Sequence, residues 1–317
     1  MQYPEKADIQ IWIPQATEIF QSFMPAIDVP YPPVYIGRGE NYMELRRRLV
    51  RETGCAHDEV TEESVMEYIH GDKGNAIIII CQNYLPDDID EHFFQMFWHE
   101  LGHFYAINTE DPSFHHYSDP GVVDDSRIME LTAEGPVLGM SDERLKQEGY
   151  WFWQEFIAET LANYVSYKDR STRRYYHPEL LDWHPDNWSG MVERLLTLLE
   201  DTFWLHMHTL DEYSLAHYFA LLLTNDFGKL YAQAAEDGKL MVYDEDKIVY
   251  PTEPIDATCI DELDEAFQPS MRRMMEVLVA QLAKPEYWKV TSETLLALGR
   301  CIGEMMLNKI RLMASER

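Results

Sequence analysis

The stretch Trp98-His99-Glu100-Leu101-Gly102-His103 decides how the rest of the chain is read. It contains H-E-x-x-H. Residues four apart on a helix lie on one face, so His99 and His103 can both turn an imidazole nitrogen toward one cation. Glu100, beside them, is placed to act as a base toward an attacking water. With 12 histidines in 317 residues, residue frequencies give roughly 0.05 accidental matches in a chain of this length. The surroundings carry more weight. Asp87, Asp88 and Asp90, past Pro86, supply first-turn negative charge for a long helix through Phe93, Phe97, Leu101 and Phe104. The two histidines therefore fall in the centre of a helix, with large apolar residues around them. That helix follows AIIIIC at 76–81, whose four consecutive β-branched residues favour a buried strand.

Upstream, PPVYIG at 32–37 reads as a short strand, Asn41 to Glu52 as a helix through Met43, Leu45 and Leu49, and Glu62 to Ile69 as a second helix. Downstream, residues 108–148 carry Pro112, Gly121, Pro136 and Gly139 amid many acids and read as an irregular insertion with one short helix. Tyr150 to Tyr167 is again strongly helical. The stretch 168–190, rich in Arg, His, Pro and Trp, marks a domain boundary. Beyond it, 191–233 is apolar at helical spacing, 237–258 is irregular or a hairpin, and 261–283 and 292–313 are helical. In the last helix Leu295, Leu298, Ile302 and Met305 form a core stripe, with Thr291 or Ser292 as N-cap. The expected fold is α+β: a metal-bearing part over 1–167 with a small sheet, then a mainly α-helical part over 168–317.

Length alone, at about 150 residues per domain, suggests two domains or one elaborated domain. A formal net charge of -30 argues against nucleic acid and against anionic membrane surfaces, since binding to either rests on cationic side chains. The longest apolar run, Ala76 to Cys81, is far short of the roughly 20 residues that cross a bilayer. The opening MQYPEKADIQIWIPQ has no basic cluster and no apolar core, so it reads as unprocessed. Cys55, Cys81, Cys259 and Cys301 are scattered with no C-x-x-C pair, which points to free thiols in a reducing cytoplasm.

A catalytic zinc takes three protein ligands and leaves a position open. An extended H-E-x-x-H-x-x-G-x-x-H site would need Gly and His where Ala106 and Thr109 stand, so that solution is rejected. The second helix reads Trp153-Gln154-Glu155-Phe156-Ile157-Ala158-Glu159. Two carboxylates four apart on an otherwise apolar helix need a cation or donors. The spacing leaves open which acid does which work.

Over about 90 residues, from 75 to 165, the chain resembles the gluzincin, thermolysin-like zinc metallopeptidases. In that group a second helix supplies a glutamate ligand, and an acid four residues later supports a ligating histidine. The resemblance implies a zincin-like subdomain holding one zinc ion by His99, His103 and Glu155, with Glu159 accepting the free ring N–H of a ligating histidine. It implies peptide-bond hydrolysis with Glu100 as general base and acid. The separation between the two helices is longer here than in thermolysin, so the insertion must loop out and return. An oxyanion donor in this group comes from the helical part after the ligand helix, where Tyr176, His177, Tyr213 and His217 are candidates; Tyr213 and His217 have one-face spacing. His206 and His208, two apart, point away from each other, while His115-His116-Tyr117 reads as a surface loop. The group binds extended peptide at a sheet edge, and the strand near 76–83 is the source expected here. A catalytically inactive relative that binds or senses a partner is the alternative, against which the presence of Glu100 counts.

Overall fold

Hydrophobic runs of short length become strands only where neighbours pair with them, and the computed structural model shows where that happens. It describes residues 9–37, 41–55, 66–73, 77–81, 91–119, 123, 129–169, 242–244, 247–249, 254–256, 265 and 268–315. The chain divides into two compact units, Met1–Thr109 with Ile157–Leu181, and Glu110–Phe156 with Asp182–Arg317. The described elements are a mixture of helix and small sheets, mostly helical.

The first unit begins with α1 (Ile9–Phe23), β1 (Val34–Gly37), α2 (Asn41–Thr53), β2 (Met66–Ile69), β3 (Ile77–Cys81) and α3 (Glu91–Thr109). The four isoleucines form the middle of a mixed sheet of order β1-β3-β2: β1 runs parallel to β3, and β2 antiparallel. Two expectations are corrected here. Residues 66–69 are a strand and not the end of a helix, because Met66, Glu67, Tyr68 and Ile69 pair in register with Ile80, Ile79, Ile78 and Ile77. A β-rich neighbour outweighs the local helical spacing. The strand near 76–83 is also not a free edge; it is flanked on both sides, and the edges are β1 and β2.

Helix α3 is buried along most of its length. Phe93, Phe94, Phe97, Trp98, Leu101, Phe104 and Tyr105 are all nearly inaccessible. The indole N–H of Trp98 donates to the carbonyl of Ala16 at 3.0 Å, which ties α3 to α1 without leaving a buried donor unpaired. Tyr31 and Tyr68 pack their rings on Phe104 from outside the helix.

The second unit holds a 3-10 helix (Pro112–Ser118), the hairpin β4 (Met129–Thr132) and β5 (Gly135–Leu138), the three-stranded antiparallel sheet β6 (Val242–Asp244), β7 (Lys247–Val249) and β8 (Pro254–Asp256), and the helices α5 (Gln268–Leu282) and α6 (Ser292–Ser315). Helix α4 (Asp142–Lys168) runs unbroken through the point where the units divide. It starts eight residues before the expected Tyr150. Ser141 is the reason: its hydroxyl accepts from the N–H of Arg144 at 3.2 Å, and Asp142 and Glu143 place negative charge in the first turn. Gly149 lets α6 approach α4 closely, because a Cβ there would collide with the carbonyl of Leu295. Thr291 caps α6 by accepting from the N–H of Thr294 at 3.2 Å. Among the described residues no helix is long and apolar enough to cross a membrane.

Candidate metal centre

The site is assembled by two helices that touch at a glycine. On α3, Gly102 sits between the two histidines of the motif, and a Cβ at this position would lie 2.7 Å from the carbonyl oxygen of Ala158 on α4. Only the missing side chain lets the backbones come this close. Once they do, the residues one turn either side of the contact face one another.

His99 and His103 meet as the four-residue spacing requires. Their Nε2 atoms are 3.0 Å apart, with ring planes at 84°. His99 Nδ1 lies 3.1 Å from Glu159 Oε2, and the other oxygen of that carboxylate accepts from Gln95 Nε2 at 3.0 Å. A carboxylate cannot donate, so the proton of His99 belongs on Nδ1 and the lone pair on Nε2. Glu159 is 8% exposed, and both of its oxygens are engaged away from the space between the histidines. Glu155, one turn earlier on the same helix, is placed by that continuity. His99, His103 and Glu155 each offer one ligand atom, all within 4.8 Å of one another.

This donor set fits a divalent transition metal. Two nitrogens bound tetrahedrally at about 2.0–2.1 Å from zinc stand about 3.3 Å apart, close to the separation seen between the two imidazoles. Two neutral imidazoles with one carboxylate suit zinc better than the hard cations, which prefer oxygen throughout. Glu100 follows His99 on α3 and is partly exposed. Tyr176, His177, His206, His208, Tyr213 and His217 lie outside the described residues.

Two polar residues of this region, one of them in contact with the centre, are not announced by the sequence. Gln95 is four residues before His99, so the same one-face rule that pairs the histidines also brings it to Glu159. Glu110 was lost in the supposed irregular insertion, yet it is 7% exposed directly after α3. It accepts from Tyr150 Oη and Gln154 Nε2, each at 2.8 Å, and His115 Nε2 lies 3.6 Å away. Burial pushes its carboxyl up to about 8, against the opposing pull of the Tyr150 and Gln154 hydrogen bonds. Of the loop residues read as surface, His116 is exposed, but Tyr117 is buried and donates to Glu143 Oε2 at 2.6 Å.

No family model, curated protein or solved structure matches the chain. What the centre can do is therefore read from its own residues.

Proposed function

We propose that this protein is a zinc-dependent peptidase, a hydrolase that uses one zinc ion per chain in a zincin-like, gluzincin-type centre to cleave peptide bonds. One observation carries the reading: His99, His103 and Glu155 converge while Glu159 is committed to His99 Nδ1. His99, His103 and Glu155 would hold the metal, and Glu159, itself steadied by Gln95, would fix the tautomer and ring angle of His99. When bound, zinc supplies Lewis-acid activation of a water and of the substrate carbonyl.

The chain's own residues do the rest. Glu100 takes the proton of the attacking water and delivers it to the departing amine, so one carboxylate serves as base and then acid. A purely structural metal site would have no use for Glu100. Extended peptide is expected at β2, which packs against α3 and ends the sheet on that side among the described residues. The substrate is a peptide or protein; the net charge of -30 disfavours nucleic acid and anionic membranes as partners. Cys55 and Cys301 form no disulfide, which accords with a reducing cytoplasm, and burial pushes the Cys301 thiol up to about 12, which makes it inert.

The test is elemental analysis of the purified wild type, His103→Ala and Glu100→Gln, with hydrolysis of a diverse peptide mixture. Wild type should carry one zinc and cleave, His103→Ala should lose both properties, and Glu100→Gln should keep the metal and lose turnover. A wild type without stoichiometric transition metal would sink the reading. Metal retained with no cleavage of any peptide would favour an inactive binding or sensing module.

A further inference from the structure

The three large apolar side chains that stand exposed among the described residues all lie in one hairpin. Leu131 is 81% exposed, Val137 40% and Met129 38%. Elsewhere in the described structure, large apolar residues are buried or half-buried; in the hairpin Met129 and Leu131 share one face of β4, while Val137, directly opposite Glu130, lies on the other. Contacts through β5 and its flanking residues hold the hairpin. Strand β5 packs against α6, the side chain of Leu138 lies over Gly303, and Arg311 donates to the carbonyl of Pro136.

Strand β4 is thereby left as the outer edge. Its register partners are Leu138, Val137, Pro136 and Gly135 of β5, and it pairs with no other strand among the described residues. Natural proteins blunt such an edge with lysine, proline or a bulge, because its unpaired N–H and C=O groups are a template for another strand. β4 reads Met129-Glu130-Leu131-Thr132; it has no lysine, proline or bulge, and only its shortness and the single charge of Glu130 guard it. Its one charge is acidic, as is that of Glu134 in the turn, and both are exposed.

Charge selects the occupant. A second copy would bring another chain of net charge -30 against the same edge, with Glu130 and Glu134 of each copy facing a surface of their own sign. A strand bearing lysine or arginine would meet these acids favourably and cover Leu131 and Met129 with its apolar residues. We propose that β4 is a docking edge for an extended polypeptide strand in which apolar and basic residues alternate, added to the hairpin as a third strand. No residue of the metal centre lies in the hairpin, so this docking stands apart from the peptidase reading.

The test uses the full chain and two labelled heptapeptides, one alternating lysine with valine and the other alternating glutamate with valine, followed by fluorescence anisotropy. The lysine peptide should bind saturably, more weakly as salt is raised, and the glutamate peptide should not bind. Leu131→Ser should weaken binding about tenfold or more, the scale set by leaving one leucine uncovered. The double variant Glu130→Gln with Glu134→Gln should weaken it while flattening the salt dependence. Near-ultraviolet circular dichroism checks that the variants remain folded. Absence of binding to the lysine peptide, equal binding of both peptides, or indifference to Leu131→Ser and to the acid replacements in folded protein would overturn the proposal. So would self-association of the peptide-free chain, seen by sedimentation and abolished by Leu131→Ser, which would assign the edge to a second copy.

Discussion

His99 and Glu159 are joined by a 3.1 Å contact between Nδ1 and Oε2 that leaves the opposite ring nitrogen of His99 turned to His103. Glu155 and Glu159 of α4 are chemically alike and one helical turn apart, so their roles are separated by direction alone. Glu159 has spent both oxygens on Gln95 and His99, while Glu155 offers an oxygen to the histidine pair. Replacing Glu159 by Gln should weaken zinc affinity about 10- to 100-fold, the usual cost of losing the acceptor behind a ligating histidine. Replacing Glu155 by Ala should cost more, since a ligand is removed. Competition against a chromophoric chelator measures both. A larger loss from Glu159→Gln than from Glu155→Ala would reverse the assignment.

The close approach at Gly102 gives a second prediction. Its absent Cβ would lie 2.7 Å from the Ala158 carbonyl oxygen and 2.8 Å from Ala158 Cα, both backbone atoms that cannot rotate away. Gly102→Ala improves local helix propensity by about 1 kcal/mol, but it forces α3 and α4 apart until contacts of 2.7 and 2.8 Å open toward the 3.4 Å of ordinary van der Waals contact. Overpacking of this kind typically costs about 1–3 kcal/mol, and here the separation acts directly between the histidines and the acids. Thermal stability should fall despite the better helix former, and zinc affinity should fall with it. A variant that is more stable than wild type and binds zinc equally well would show that the helices do not meet at this glycine.

What could be read in advance follows the range over which each signal acts. The H-E-x-x-H helix, the E-x-x-A-E turn and the isoleucine strand are local patterns, each written within a few residues, and all three lie in the elements where they were expected. The β2 strand is not legible locally, because Met66-Glu67-Tyr68-Ile69 is extended only by virtue of β3, a partner further along the chain. The early start of α4 was legible in Ser141-Asp142-Glu143, a capping signal hidden by the surrounding glycines and prolines. Glu110 was not legible at all. Nothing beside it in sequence announces that its partners, Tyr150 and Gln154, lie forty and forty-four residues away on another helix.

Glu110 makes the stability of the folded chain depend on pH. Burial raises its carboxyl from the ordinary 4.5 to about 8. The folded chain therefore holds a proton on Glu110 that the unfolded chain has released across this window. Where the folded state binds more protons, stability falls as pH rises. This contribution is complete below pH 4.5 and is lost as pH climbs through about 8. Glu110→Gln keeps the shape and cannot ionise. It sacrifices one acceptor for Tyr150 or Gln154, a cost of about 1 kcal/mol that does not vary with pH. Thermal melting of both proteins with zinc saturating, from about pH 5 to about pH 9, isolates Glu110 together with its neighbour His115, because titrations elsewhere in the chain are common to both proteins. The wild-type melting temperature should fall more steeply than that of the variant, so that the gap between them narrows or reverses on the alkaline side. Parallel profiles would mean that Tyr150, Gln154 and His115 together keep Glu110 ionised throughout.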